Sequence, residues 1–349
     1  MRVSKDPTID DVAQAAGVAR VTVSRVLNGE PNVRPQTRER VEKAVETLGY
    51  TVNPQARALA SGSSRQIMLI HAHSPESEPN SYYDAGLELG ALRACSSLGL
   101  DLATRSIQPS KSDAARLLLS IVERDRPAGI ILSPPLSDDL ELLADAKRLG
   151  ARIVAISAGE EARELVASVG IDERAAGYAI GAHLASLGHD RLAFAKGPPD
   201  HRAAALRYVG FLDALRASAI EADPWVGTGD FTFKSGVEVA ERLLLDGADV
   251  TALACANDDM AAGAMLALHR AGIDIPGSMS VTGFDDTPMS EIIWPPLTTV
   301  RQPIKQIAEQ AVHLLVRPDA GDSPRYQLIP HELVVRESTS CVPKATTAG

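Results

Sequence analysis

The chain has 349 residues, too many for one small domain, with 45% hydrophobic residues and a formal net charge of −10. Three widely spaced cysteines (95, 255 and 341) exclude a disulfide framework or zinc-finger pattern and fit a reducing compartment. MRVSKDPTID lacks the apolar stretch of a signal peptide and no run reaches transmembrane length, so the expectation is a cytoplasmic protein with no membrane partner. The charge is unevenly divided: residues 1–65 hold ten Lys/Arg and seven Asp/Glu, net +3, against −13 for the rest. That places any contact with nucleic acid at the N-terminus, with an acidic body turned away from it.

In chain order, Thr8–Leu27 reads as two short helices around a tight turn at Gly17. Ile9, Val12, Ala13 and Ala16 share one helical face, Thr8 and Asp11 form a capping-box-like pair, and Val18 plugs the angle. The second helix buries Val23, Val26 and Leu27 and leaves Arg20, Val21, Ser24 and Arg25 outside. Guanidinium groups suit guanine edges, methyls suit thymine, and a hydroxyl suits phosphate. An ordinary helical hairpin is the plain alternative. A third helix is expected over about Pro35–Leu48, with Val41, Ala44, Val45 and Leu48 inward and Gly49 at its end. Asn53 and Pro54 then open a helix of only about six or seven residues, too short to stand alone in water. Ser61-Gly62-Ser63-Ser64 is a flexible linker.

Beyond the linker, short apolar strands alternate with helical periods: strands at 66–72, 129–133, 152–157, 191–195, 252–255 and 280–284, helices around 84–98 and 137–149. This pattern implies parallel sheets covered on both faces, with ligands at the carboxyl ends of strands. Ser157, Asn257-Asp258-Asp259 and Asp285-Asp286 fall at such ends. Asn257 and Asp285 can equally cap the next helix, Phe231 can equally be core, and Asp258 and Asp286 read as structural. His71 and His73 alternate on one strand face, but no third ligand completes a metal site, so packing or lining is their expected role. There is no GxSxG elbow, P-loop or GxGxxG, and the expectation is a non-enzyme without cofactor or metal.

The stretches TIDDVAQAAGV..VTVSRVLNG, TRERVEKAVETLGYTVNPQARALA and GFDDTPMS....PPLTTVRQP make the chain resemble the lactose-repressor (LacI/GalR) family of bacterial transcription regulators along essentially its whole length. Ala19 and Arg34 depart from the usual capping Ser at the openings of the second and third helices. The resemblance implies an all-α helix-turn-helix head (1–52), a hinge helix and linker (53–65), and an α/β body like periplasmic binding proteins (66–340), with a tail (341–349). The body's first lobe is expected at about 66–167 and 298–325, and the second at about 168–297 and 326–340. It further implies a ligand-responsive regulator that binds near-palindromic operator DNA as a homodimer, most naturally a repressor released by a sugar or glycoside. Arg20 and Val21 would read bases with Arg25 and Asn32, while Thr22, Ser24, Thr37 and Tyr50 hold phosphates. The hinge would fold on DNA, Leu59 wedging the minor groove, Ala56 allowing close approach and Arg57 adding charge. By resemblance Arg207, Asn257 and Asp285 line the effector cleft, with Tyr82, Tyr83, Phe231 and Ser157 as further candidates. The alternatives are a purine co-repressor as ligand or, in a different class, a cytoplasmic sugar-binding protein or hydrolase with a helical head.

Overall fold

In a computed structural model of the chain, the structure describes residues 7–27, 32–48, 50, 65–72, 81–107, 111–317 and 326–342. The chain divides into two units, Met1–Ser64 and Arg65–Gly349.

The first unit contains α1 (Ile9–Ala16), α2 (Arg20–Leu27) and α3 (Pro35–Leu48). Thr8 caps α1: its Oγ1 accepts from the Asp11 N–H at 3.3 Å while the Asp11 carboxylate accepts from the Thr8 N–H at 2.7 Å. Gly17 takes φ +62°, a left-handed turn that costs a residue without Cβ nothing. Val12, Ala13, Ala16, Val23, Val26, Val41 and Ala44 form a small core, flanked by Ile9, Val18, Leu27 and Val45. Leu48, expected in the buried stripe, is exposed. The reason is length: α1 and α2 have 8 residues each and α3 has 14, so the last turn of α3 overhangs its partners. Gly49 and the hinge segment with Asn53, Ala56, Arg57 and Leu59 lie outside the described residues.

The second unit has two parallel sheets. The first comprises β1 (Gln66–His71), β2 (Asp101–Ser106), β3 (Gly129–Leu132), β4 (Ile153–Ile156), β5 (Ala167–Gly170) and β11 (Tyr326–Leu328), in the order β11-β5-β4-β3-β1-β2. The second comprises β6 (Leu192–Lys196), β7 (Trp225–Thr228), β8 (Ala252–Cys255) and β9 (Ser280–Thr282), in the order β7-β6-β8-β9. Strand periodicity assigns the two faces: Ile67 and Leu69 join one core with α4 (Ser81–Leu98) and α13 (Ile304–Val316). Met68 and Ile70 join another with α5 (Lys111–Asp125), α6 (Leu140–Arg148) and α7 (Glu160–Leu165). In the second lobe Leu192 and Phe194 face α8 (Glu173–Ser186) and α9 (Arg202–Ala217), whereas Ala193 and Ala195 face α10 (Phe233–Leu245) and α11 (Asp258–Arg270).

Three crossings join the lobes. The chain passes from β5 into α8 at residues 171–172 and from β10 (Thr299–Arg301) into α13 at 302–303. It passes from β11 to β12 (Glu332–Val334) at 329–331, and β10 pairs antiparallel with β12. The expected boundaries after 167 and 325 therefore cut through the first sheet, because β5 and β11 pair with each other inside it. The expected boundary at 298 likewise shifts, since Thr298 and Arg301 bridge Thr282 and Asp285 beside the second sheet.

Candidate functional site

The head presents one helix face. Arg20, Val21 and Arg25 of α2 are exposed, with Val21 at 56%, while Thr22 and Ser24 are half-buried against the helix neighbours. Asn32 is exposed, and Thr37 and Tyr50 are half-buried. A valine side chain left in water on a helix with two arginines suits a grooved, anionic surface better than solvent. Arg20 stands 3.6 Å from Asp10, a surface pair worth little, so its guanidinium can exchange that partner for a base edge. Replacing Arg20 with alanine should therefore weaken specific DNA binding by about 1–3 kcal/mol and relax discrimination at one base pair. Anisotropy titrations against an operator and its single-base variants check this.

The body's polar centre lies where the second lobe meets the crossings. Arg207 is on the buried face of α9 with Ala203, Ala204 and Phe211, only 5% exposed. Its Nε donates to Glu173 Oε2 at 2.8 Å and its Nη1 to the Ala256 carbonyl at 2.9 Å. Its guanidinium plane sits 3.7 Å from the centroid of the Phe284 ring. Burial works against the charge, but the Glu173 and Asp285 carboxylates more than offset it, and the Arg207 pKa is raised. Asp285 follows β9 with φ +105° and accepts from Gln302 Nε2 at 3.0 Å. Burial lifts its carboxyl well above the usual range, against the pull of Arg207. Tyr83, on the first turn of α4, brings the first lobe to this cluster: burial, Glu173 and Asp285 all raise its phenol. Its neighbour Tyr82 is exposed.

The remaining candidates are placed as follows. Asn257 caps α11, its Oδ1 accepting from the Met260 N–H at 2.9 Å, and its Nδ2 holds the Phe231 carbonyl at 2.9 Å. Phe231 takes φ +69° and sets its ring edge-on to His201, 4.9 Å between centroids. Ser157, after β4, takes φ +49° and its buried Oγ has no hydrogen-bond partner among the described residues. Asp258 is a structural brace: it accepts from the Thr287 N–H at 2.7 Å and the Thr299 hydroxyl at 2.6 Å. Asp286 is another, pairing with Arg301 at 2.7 Å and Arg336 at 2.6 Å. His71 lies between Asp84 at 2.9 Å and Glu88 at 3.2 Å; burial lowers its pKa but the two carboxylates outweigh that and raise it. His73 lies outside the described residues, and among those described no group of three or more His, Cys, Asp or Glu is placed to hold a metal.

Glu173, Gln302, Phe284 and His201 were not singled out in the sequence. Glu173 had one available signal: like Asp285, it follows shortly after a strand end. His201 Nδ1 accepts the Ala204 N–H at 3.2 Å, capping α9, which requires that nitrogen to be unprotonated. Burial, helped by Arg207, pushes its pKa down to about 3. Between that value and the ordinary 6.5 the unfolded chain binds a proton that the folded chain does not, so stability should fall as pH drops through this window. The slope from this group approaches ~1.4 kcal/mol per pH unit. Urea unfolding at pH 7 and pH 5 should show it, and His201→Asn, which keeps an acceptor at the cap, should flatten it.

Residues 8–53 match the bacterial regulatory proteins of the lacI family, and residues 182–339 match a periplasmic binding protein-like domain. The transcriptional regulator CelR of Thermobifida fusca is 32% identical over 345 residues, 97% of this chain and 100% of that protein. The chain belongs to the LacI family. This LacI-family protein shares its fold with the lac repressor dimer solved on operator with the anti-inducer ONPF: TM-score 0.80, 28% identity, 96% of this chain and 100% of that one. The solved complex of CelR with cellobiose gives TM-score 0.71 at 32% identity, covering 95% and 99% of the two chains. The helix-turn-helix head and the two-lobed α/β body are thus those of a DNA-binding transcription regulator. No helix among the described residues is long and apolar enough to cross a membrane.

Proposed function

We propose that this LacI-family protein is a cytoplasmic repressor of carbohydrate-utilisation genes, binding a near-palindromic operator as a homodimer and released by a sugar or glycoside. The observation that carries the reading is the cluster of Arg207, Glu173, Asp285 and Gln302, buried beside an aromatic ring at the joint of two lobes. Planar guanidinium, carboxylate and amide groups suit a ligand dense in hydroxyls. CelR, solved with cellobiose, supports a carbohydrate. The relatives are transcription regulators, which supports a role in binding rather than catalysis.

Mechanism follows from placement. A ligand held by Tyr83 of the first lobe and by Arg207 of the second fixes the angle between lobes. It shifts the equilibrium only by its differential affinity for two lobe arrangements, typically about 1–3 kcal/mol. Two heads must be spaced to reach both half-sites. The test is fluorescence anisotropy on palindromic candidates from the DNA around its own gene, at fixed salt, with sugars and purines. Specific binding released by one sugar supports the proposal. Binding strengthened by a purine replaces it with a co-repressed system, and no specific binding under any condition removes it.

A further inference from the structure

The buried cluster around Arg207 leaves acceptors unsatisfied. Glu173 and Arg207 are both buried, and the Arg207 guanidinium has already committed Nε to Glu173 and Nη1 to the Ala256 carbonyl. Only Nη2 is left without a partner among the described residues. In the same cluster, Glu173 Oε1 and Gln302 Oε1 are buried oxygens with no hydrogen-bond partner among the described residues. Asp285, buried beside them, adds a second carboxyl for the same single guanidinium. Buried polar atoms without partners are costly, and two of them in one cluster call for a water or a ligand to satisfy them.

We propose that Glu173 sets the charge class of the effector: it occupies the edge of Arg207 that an acidic ligand would need and turns its free Oε1 to a ligand hydroxyl or ammonium. The cleft then takes uncharged or amine-bearing sugars and rejects uronates and sugar phosphates. A carboxylate or phosphate could grip the Nε edge of the guanidinium with two bonds only by displacing Glu173, and in any pose beside Arg207 it would stand next to two buried carboxyl groups. A hydroxyl or ammonium instead donates to oxygens that have nothing else to accept from. This deepens the carbohydrate reading above and rests on it.

The test uses calorimetry on the full-length chain, wild type and E173Q, with circular dichroism to establish that both are folded. The probes are glucose, galactose and cellobiose, then glucosamine and galactosamine, then glucuronate, galacturonate and glucose 6-phosphate. In the wild type an uncharged or amine-bearing sugar should bind at least tenfold tighter than the acidic sugars. In E173Q that ratio should shrink at least fivefold, because the amide no longer repels an anion and releases the guanidinium edge. Tightest binding of an acidic sugar by the wild type overturns the proposal even if E173Q does not fold. A ratio that changes by less than fivefold in folded E173Q also overturns it, while leaving the protein a sugar-binding regulator. Failure of the wild type to bind any of the eight probes removes the carbohydrate reading and this inference together.

Discussion

Replacing Arg207 with alanine is expected to destabilise the second unit by about 3–5 kcal/mol and to abolish its response to ligand. The cost comes from what remains. Glu173 is about as buried as Arg207, and without the guanidinium its carboxylate is left in the interior with no counter-charge. The Ala256 carbonyl loses its donor and the face of Phe284 loses its cation in the same step. A double replacement, Arg207→Met with Glu173→Gln, should recover much of the loss, since neither charge then needs a partner. It should not recover the ligand response. Urea unfolding of the wild type, Arg207→Met, Glu173→Gln and the double gives the interaction energy directly. If Arg207→Ala costs under about 1 kcal/mol, the pair is solvated and the buried-cluster account fails.

The second large effect is expected at Gly177. A Cβ at this position would fall 1.9 Å from the Arg207 carbonyl oxygen, and one at Gly210 would fall 1.8 Å from the Arg174 carbonyl oxygen. Helices α8 and α9 therefore meet backbone to backbone at two reciprocal points, and there is no flexible side chain to yield. Gly177→Ala should force the helices apart at a cost of about 1–3 kcal/mol or more. The displaced backbone is that of Arg207 itself, while Glu173 lies one turn before Gly177 on the opposing helix. Ligand affinity should accordingly fall about tenfold or more in protein that is still folded at low temperature, because such sites tolerate only about 0.5 Å of misplacement. Thermal unfolding and ligand titration on the same sample separate the two effects. Unchanged affinity with lowered stability would show that the Glu173–Arg207 geometry does not depend on the helix spacing.

The head was the most legible region. Its capping pair, its left-handed glycine and its inward valines each depend on neighbours within a few residues, and local rules suffice there. In the body, the buried central strands β3, β4 and β8 announce themselves as short apolar runs. The edge strands β2 and β7 are half exposed and carry mixed residues, so they have no such pattern. Arg207 was assigned to the cleft from the resemblance, but its burial was not legible. The inner face of α9 sets Arg207 among Ala203, Ala204, Gly210, Phe211, Ala214 and Leu215, while Val209 is exposed. Glu173 and Gln302 escaped because their role depends on crossings that bring residues far apart in sequence together. Asn257 was left between capping and ligand binding, and the structure shows the capping while its other end fixes the Phe231 loop.

The position of the crossings also bears on how a binding event becomes a movement. Gln302 sits on the second crossing and Glu173 just past the first, so a molecule lodged against them grips the pivot and not the tips of the lobes. A body of this kind works as a lever with a short input arm. Sub-ångström changes in how the pivot closes grow in proportion to distance from it, and they are largest at the outer ends of the lobes. Sensing and articulation then share the same few side chains. A substitution that tunes affinity at Glu173 or Gln302 should for that reason also alter how far the lobes turn.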